Sequence, residues 1–224
     1  ISPPVARASP DIGHIFIEHQ TFFRGDDDLL LSTYIMYEES RGTKSFWYPF
    51  LAMLPRPGSI SDWTKEEMEE VQDEQLVREA ISRPSRIKLK YEKLMCMLEA
   101  EYGTLFNREV HTYERFRHAW MSIQARAFGR RLPWTALVPF ADCLNHTNVQ
   151  TKYDFNINEN GTFRLFPTGR NRYEKGQEVF NSYGRRDNHF LLMEYGFALF
   201  KNEWDTVDMT LAILDTDEEA ETKR

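Results

Sequence analysis

An α+β fold is what this sequence predicts, on two observations. Up to about residue 128 the apolar residues recur with helical spacing, and after Arg131 they alternate as in strands. The break between the two patterns is sharp, and an Asn-Gly pair at Asn160-Gly161 marks a hairpin in the second half. At 224 residues with 41% hydrophobic residues, the chain can fill one large core or two small ones.

The elements follow in order. Asp26 to Asp28 suit a helix start, and Leu30, Leu31, Tyr34, Ile35 and Tyr37 continue with helical spacing to an end near Gly42. The aromatic run SFWYPFLAMLPRPG is broken by its prolines and is expected to cross the surface of the core as an irregular buried segment. Thr64 followed by Glu67 has capping-box spacing and opens a new helix. Long helices are predicted from about Arg86 to Glu101 and from about Tyr113 to Phe128, without the heptads of a coiled coil. WTALVPF reads as a short buried strand, KYDFNINENGTFRLFP as a hairpin, and QEVFNSY as a further strand. DNHFLLMEYGF is a short helix that stops at Gly196, and DTDEEAETKR is a charge run.

Composition narrows the function. No stretch approaches the roughly 20 apolar residues of a helical membrane span, and mean hydropathy is −0.59. A net charge of −7 opposes binding to nucleic-acid backbones and favours a cationic partner, such as a lysine-bearing protein segment. Only Cys96 and Cys143 are present, which points to a reducing compartment: cytosol, nucleus or an organelle stroma. No CxxC, HExxH, GxSxG, GxxxxGK[ST] or GxGxxG pattern occurs, so these zinc, serine-hydrolase and phosphate-cradle chemistries have no anchor. His111 and His118 lie seven apart without a third ligand.

Three local patterns remain: QARAFGR (Gln124 to Arg130), PFADCLNH (Pro139 to His146) and NSYGRRDNHFLLMEYGF (Asn181 to Phe197). Read from the residues alone, Asn145 and His146 are either turn formers or a binding site at a strand end. Arg126 and Arg130 could simply meet a helix C-terminus, and Asp142 could cap a turn. Together, and in this order, the patterns resemble the SET-domain protein methyltransferases, particularly the subgroup with a helical insertion that includes the RuBisCO large-subunit lysine methyltransferases. The resemblance runs from Leu29 to about Phe200 and includes SFWYPFLAMLP and the Trp63-x-x-Glu66-Glu67 start of the inserted helix.

That resemblance implies a fold of small β-sheets with a pseudoknot-like C-terminal crossing near Asn145 and Tyr183. It implies an α-helical insertion over about residues 42–115 and a SET domain over 1–200. It further implies transfer of a methyl group from S-adenosylmethionine to a lysine of a protein, with no metal. Asn145, His146, Arg126 and Tyr183 would contact the cofactor, and Tyr183 would be catalytic beside the transferring methyl group. Arg126, Arg130, Asp142, Phe128 and Tyr195 would meet the substrate, with Phe197 a further channel wall. The separation of Tyr183 from Tyr195 is one residue shorter than in the plant members. Histidine-methylating relatives carry Asn and Trp where this chain has Phe128 and Ala141, so lysine is the expected nucleophile.

Two departures matter. The Gly-x-Gly segment with which family members begin is not present, and residues 201–224 look like the truncated entry to a C-terminal substrate-binding region. A catalytically inactive SET-like interaction module is therefore the alternative reading, with a histidine methyltransferase a second one. The identity of the substrate is open among ribosomal proteins, RuBisCO, histones and signalling proteins.

Overall fold

The structure, a computed structural model, describes residues 1–129, 132–156, 161–169 and 172–207. Its elements in chain order are α1 (Pro3–Arg7), α2 (Gly13–Glu18), α3 (Asp27–Ser40), α4 (Tyr48–Leu51), α5 (Lys65–Glu69), α6 (Glu74–Tyr102), α7 (Tyr113–Arg126), β1 (Thr151–Asn156), β2 (Thr162–Pro167) and α8 (Asn188–Tyr195), with three 3-10 turns between them. This is the α+β class expected.

Helix α3 starts where its acidic residues place it: the Asp26 side chain accepts from Leu29 N at 2.9 Å. Its body buries Leu29 to Leu31, Tyr34, Ile35 and Met36. Helix α7 begins at the Thr112 cap and presents Phe116, Ala119, Trp120 and Ile123, a spacing that lines one helical face. The two helices pack together, and the middle of α6 adds Ile87, Tyr91, Leu94 and Leu98 to the same core. The capping box at Thr64 and Glu67 forms with both reciprocal bonds.

Helix α6 is longer than expected. It begins at Glu74, with Asp73 capping Gln75 N and Leu76 N, and continues through Pro84. A proline inside a helix costs about 3 kcal/mol. Tertiary contacts outweigh it here: Leu76 and Ala80 pack with Ile60 and Met193, and Arg83 donates to the Met193 carbonyl at 2.9 Å and pairs with Glu194.

The second half is poorer in strands than expected. The hairpin forms, with Thr151 opposite Pro167 and Asn156 opposite Thr162, while loop residues 157–160, including Asn160, lie outside the described residues. Trp134 to Phe140 is not a regular strand. Only Ala136 pairs, exchanging both backbone bonds with Phe128 at 2.8 Å, and Leu137 N donates to Ile1 O. Pro139 has no N–H to continue a ladder, and Phe140 turns the chain at φ 74. QEVFNSY likewise contributes a single parallel bridge, His146 with Asn181.

The aromatic run before residue 58 also differs from expectation. Trp47 faces the core and donates to Tyr34 Oη, and Leu51 is buried, but Phe46 is 83% exposed and Met53 70%. The run is a wall between core and cleft, with Trp47, Leu51, Phe50 and Leu54 against the core and Phe46 and Met53 turned outward.

Helix α8 is capped by Asp187 and ends at Gly196 with φ 75, as its sequence predicts. A Cβ at Gly196 would lie 2.7 Å from the backbone of Gly58, so glycine permits both the turn and the close approach. That contact sets the Pro55–Gly58 segment over the end of α8. Among the described residues no helix is long and apolar enough to cross a membrane. Residues 208–224, most of the expected C-terminal region, lie outside the described residues.

Candidate active site

The site is assembled from chain ends of elements: the last turn of α7, the 3-10 turn Ala141–Cys143, the crossing at Asn145 and Asn181, and the last turn of α8. Arg126, at the end of α7, donates through Nη1 to the Asp142 carbonyl at 3.1 Å and lies 3.5 Å from its Oδ2. The Asp142 side chain is 1% exposed. Burial raises its carboxyl above the usual range, and Arg126 opposes that shift.

Asn145 accepts the Asn181 N–H at its backbone oxygen, 2.8 Å, and its side-chain amide donates to Glu178 at 2.7 Å. Asn181 is buried. Its side-chain oxygen accepts from Thr151 Oγ1 at 2.8 Å, and that hydroxyl in turn accepts the Ser182 N–H at 3.0 Å. These bonds hold the crossing where a sheet ladder does not.

Tyr183 follows directly. Its hydroxyl donates to the Leu144 carbonyl at 2.8 Å, and its ring lies 4.8 Å from that of Tyr195 and 5.0 Å from that of His146. Burial raises both phenols, Tyr195 to about 12. Both are protonated at neutral pH, and neither is a ready base.

Two cavities meet at these residues. A cleft of about 660 Å³ is bounded by Arg126, Asp142, Asn145, Tyr183, Tyr195 and Phe197 on the core side and by Pro49 to Gly58 on the other. A second, small cavity of about 70 Å³ is bounded by Phe128, Tyr153 and Asn181. Both touch Ala125, Arg126, Asp142, Tyr183 and Tyr195, so this group forms the partition between them.

Seven of the sequence-predicted residues thus meet at one place: Arg126, Phe128, Asp142, Asn145, Tyr183, Tyr195 and Phe197. The ring of His146 is near but lies against Tyr183 and lines neither cavity. Arg130 lies outside the described residues. Sequence reasoning missed Tyr153, Asn181 and the wall at Pro49 to Gly58. Tyr153 stands on a strand whose alternation marks a facing side chain, but nothing in its spacing says which cavity it faces. His111 and His118 sit elsewhere, bonded to Ser40 and Asn107 and to Glu39 respectively.

No protein-family model matches the sequence. SET domain-containing protein 4 of Mus musculus is 30% identical over 203 residues, which cover 83% of this chain and 45% of that protein. The chloroplastic ribulose-1,5 bisphosphate carboxylase/oxygenase large subunit N-methyltransferase of Pisum sativum is 27% identical over 224 residues, covering 96% and 44%. Among solved structures, the SET domain of LSMT bound to lysine and AdoHcy superimposes with a TM-score of 0.73 at 25% identity, over all of this chain and 50% of that one. The fold is a SET domain. Within that class, the chain is similar to lysine methyltransferases of the RuBisCO large-subunit type. It spans less than half the length of the curated relatives it matches.

Proposed function

We propose that this chain carries the catalytic domain of a protein-lysine N-methyltransferase that uses S-adenosylmethionine. The observation that carries the reading is the pair of cavities that share Ala125, Arg126, Asp142, Tyr183 and Tyr195 as a common wall. A cofactor in one and a lysine side chain in the other would meet at Tyr183.

The larger cleft fits the cofactor in size and chemistry. Small-molecule sites span about 300–1,000 Å³, and this one is about 660 Å³. Arg126 supplies a cation for a carboxylate, Asn145 an amide that both donates and accepts, and Phe197 a flat apolar ring. Arg126, Asn145 and Tyr183 would hold the group, while His146, which lines neither cavity, would not touch it. When bound, S-adenosylmethionine supplies an electrophilic methyl group.

The chain's own residues must deliver an uncharged amine. A lysine of reference pKa near 10.4 costs about 4.6 kcal/mol to neutralise at pH 7, from about 3.4 units at 1.36 kcal/mol each. Phe128, Tyr153, Tyr183 and Tyr195 line the small cavity together with Asp142, Asn181 and Ser182, and enclosure away from water disfavours the ammonium by desolvation. The Tyr183 hydroxyl spends its proton on the Leu144 carbonyl, so its oxygen is left to accept from the amine and orient it. Because burial keeps that phenol protonated, water rather than Tyr183 removes the proton. Asp142 and, by the family pattern, Arg130 would contact the substrate near the target side chain, and the acidic chain favours a basic protein segment.

Lysine is favoured over histidine because Phe128, buried between Tyr153 and Phe163, offers an imidazole no hydrogen bond. We assign the SET domain to residues 1–200 with an inserted helical segment at about 42–115, a non-histone protein as substrate, and a reducing intracellular compartment.

The test is transfer of a labelled methyl group from S-adenosylmethionine to lysine-bearing proteins. Tyr183→Phe is expected to lower turnover by about 100-fold while S-adenosylhomocysteine affinity stays within about threefold. Full activity in that variant would refute the role of Tyr183. A folded chain that binds lysine-bearing proteins but transfers no methyl group would favour the inactive interaction module.

A further inference from the structure

We infer that the His146 imidazole is the positioning residue for Tyr183, holding its backbone through Nδ1 and its ring by stacking, and that it acts on the reaction only through Tyr183. The inference rests on the proposed place of Tyr183 beside the acceptor amine.

The geometry determines the tautomer. The Tyr183 N–H can only donate, and it points to His146 Nδ1 at 3.1 Å. Nδ1 must therefore be the bare nitrogen. It cannot at the same time donate to the Asn181 carbonyl, which lies 3.3 Å away. The ring proton then resides on Nε2, which is buried and has no hydrogen-bond partner among the described residues. His146 as a whole is 5% exposed, and burial lowers its pKa, which keeps the ring neutral.

An orphaned buried donor in a well-packed place calls for a reason. A phenylalanine would remove it, but would also remove the acceptor for Tyr183 N. An asparagine would keep an acceptor, but would lose the ring that lies at 17° to the Tyr183 ring, 5.0 Å away, with Trp204 at 30° and 6.1 Å. Histidine alone combines a flat ring with an acceptor one bond from Cγ. The same residue forms the parallel bridge with Asn181, so backbone and ring together fix the two crossing segments and the tyrosine that follows. Since the ring lines neither cavity, its route to the reacting atoms runs through Tyr183.

The test uses this chain labelled uniformly with 15N. Nuclear magnetic resonance should find His146 as the Nε2–H tautomer. In His146→Ala, hydrogen exchange at the Tyr183 amide should accelerate by about tenfold. His146→Asn, which puts a carboxamide oxygen where Nδ1 stands, should keep that exchange within about threefold of the parent. S-adenosylhomocysteine affinity should stay within about threefold in both variants. A proton on Nδ1, or unchanged Tyr183 exchange in His146→Ala, would overturn the inference. So would loss of S-adenosylhomocysteine binding with Tyr183 exchange intact, which would make the ring a ligand contact. If the parent chain binds no S-adenosylhomocysteine, the functional reading fails, while tautomer and exchange still decide this one. The tautomer is read on the unaltered protein, so a variant that does not fold leaves the question answerable.

Discussion

The two halves of the molecule are held together by different forces. In the helical half, α3, α6 and α7 satisfy their own backbones and bury side chains such as Leu30, Ile35, Leu94 and Phe116 without residual exposure. In the half that carries the site, one two-stranded hairpin and two single bridges are the only sheet pairings among the described residues. Side chains take over the work of the ladder there. Thr151 bonds Asn181 and Ser182, Tyr183 bonds Leu144, Asn188 bonds Leu199, and Asn202 bonds Arg186. A change in the first half should therefore cost stability, whereas one in the second should cost geometry first.

The largest effect is expected from the helical core. Phe116→Ala removes a ring with no exposure from the junction of α6 and α7 and should cost about 3–5 kcal/mol in a denaturant titration. Gly196→Ala tests the seam between the halves. It places a Cβ 2.7 Å from Gly58 at a φ of 75, so about 3 kcal/mol of destabilisation is expected. Its cleft should also open, because Pro55 to Gly58 can no longer rest on the end of α8. Equal losses of stability from Phe116→Ala and from an uncharged site change such as Tyr183→Phe would dissolve the distinction.

A smaller effect depends on pH and on what surrounds each histidine. His146, in the site half, has its pKa lowered by burial below the ordinary value near 6.5. The unfolded chain then binds its proton first, so stability is intact above about pH 6.5 and falls as the pH drops toward the folded value. His111 acts in the same direction. His118, in α7, is raised by its bond to Glu39. Its contribution is present below about pH 6.5 and is lost as the pH rises through its folded value. His118→Asn should accordingly weaken the protein at pH 6 more than at pH 8, and His146→Asn should flatten the acid side of the stability profile. Thermal melts across that range would check both signs.

The legibility of the sequence divides along the same line. The acidic start at Asp26, the Thr64 capping box and the Gly196 stop are local signals, and each sits where its residues place it. The expected start near Arg86 falls after Pro84, whose local penalty is overruled by Arg83, Leu76 and Ala80 packing on distant residues. The expected strands at Trp134 and Gln177 failed for the reverse reason. A strand needs a partner, and among the described residues only Phe128, Ile1 and Asn145 pair with these segments across the backbone, each at one position. Most candidate site residues were readable because their types and order carry a family pattern. Tyr153 and Asn181 were not, since their facing depends on register and crossing, which no local spacing encodes.

The central claim is that the cleft beside Arg126, Asn145 and Tyr183 receives the methyl donor. Calorimetric titration of the folded chain with S-adenosylhomocysteine, beside an Asn145→Ala variant, tests it most directly. Saturable binding with a stoichiometry near one, lost in the variant, is the expected result. A folded chain that shows no heat of binding, or a variant that binds as well as the parent, would contradict it.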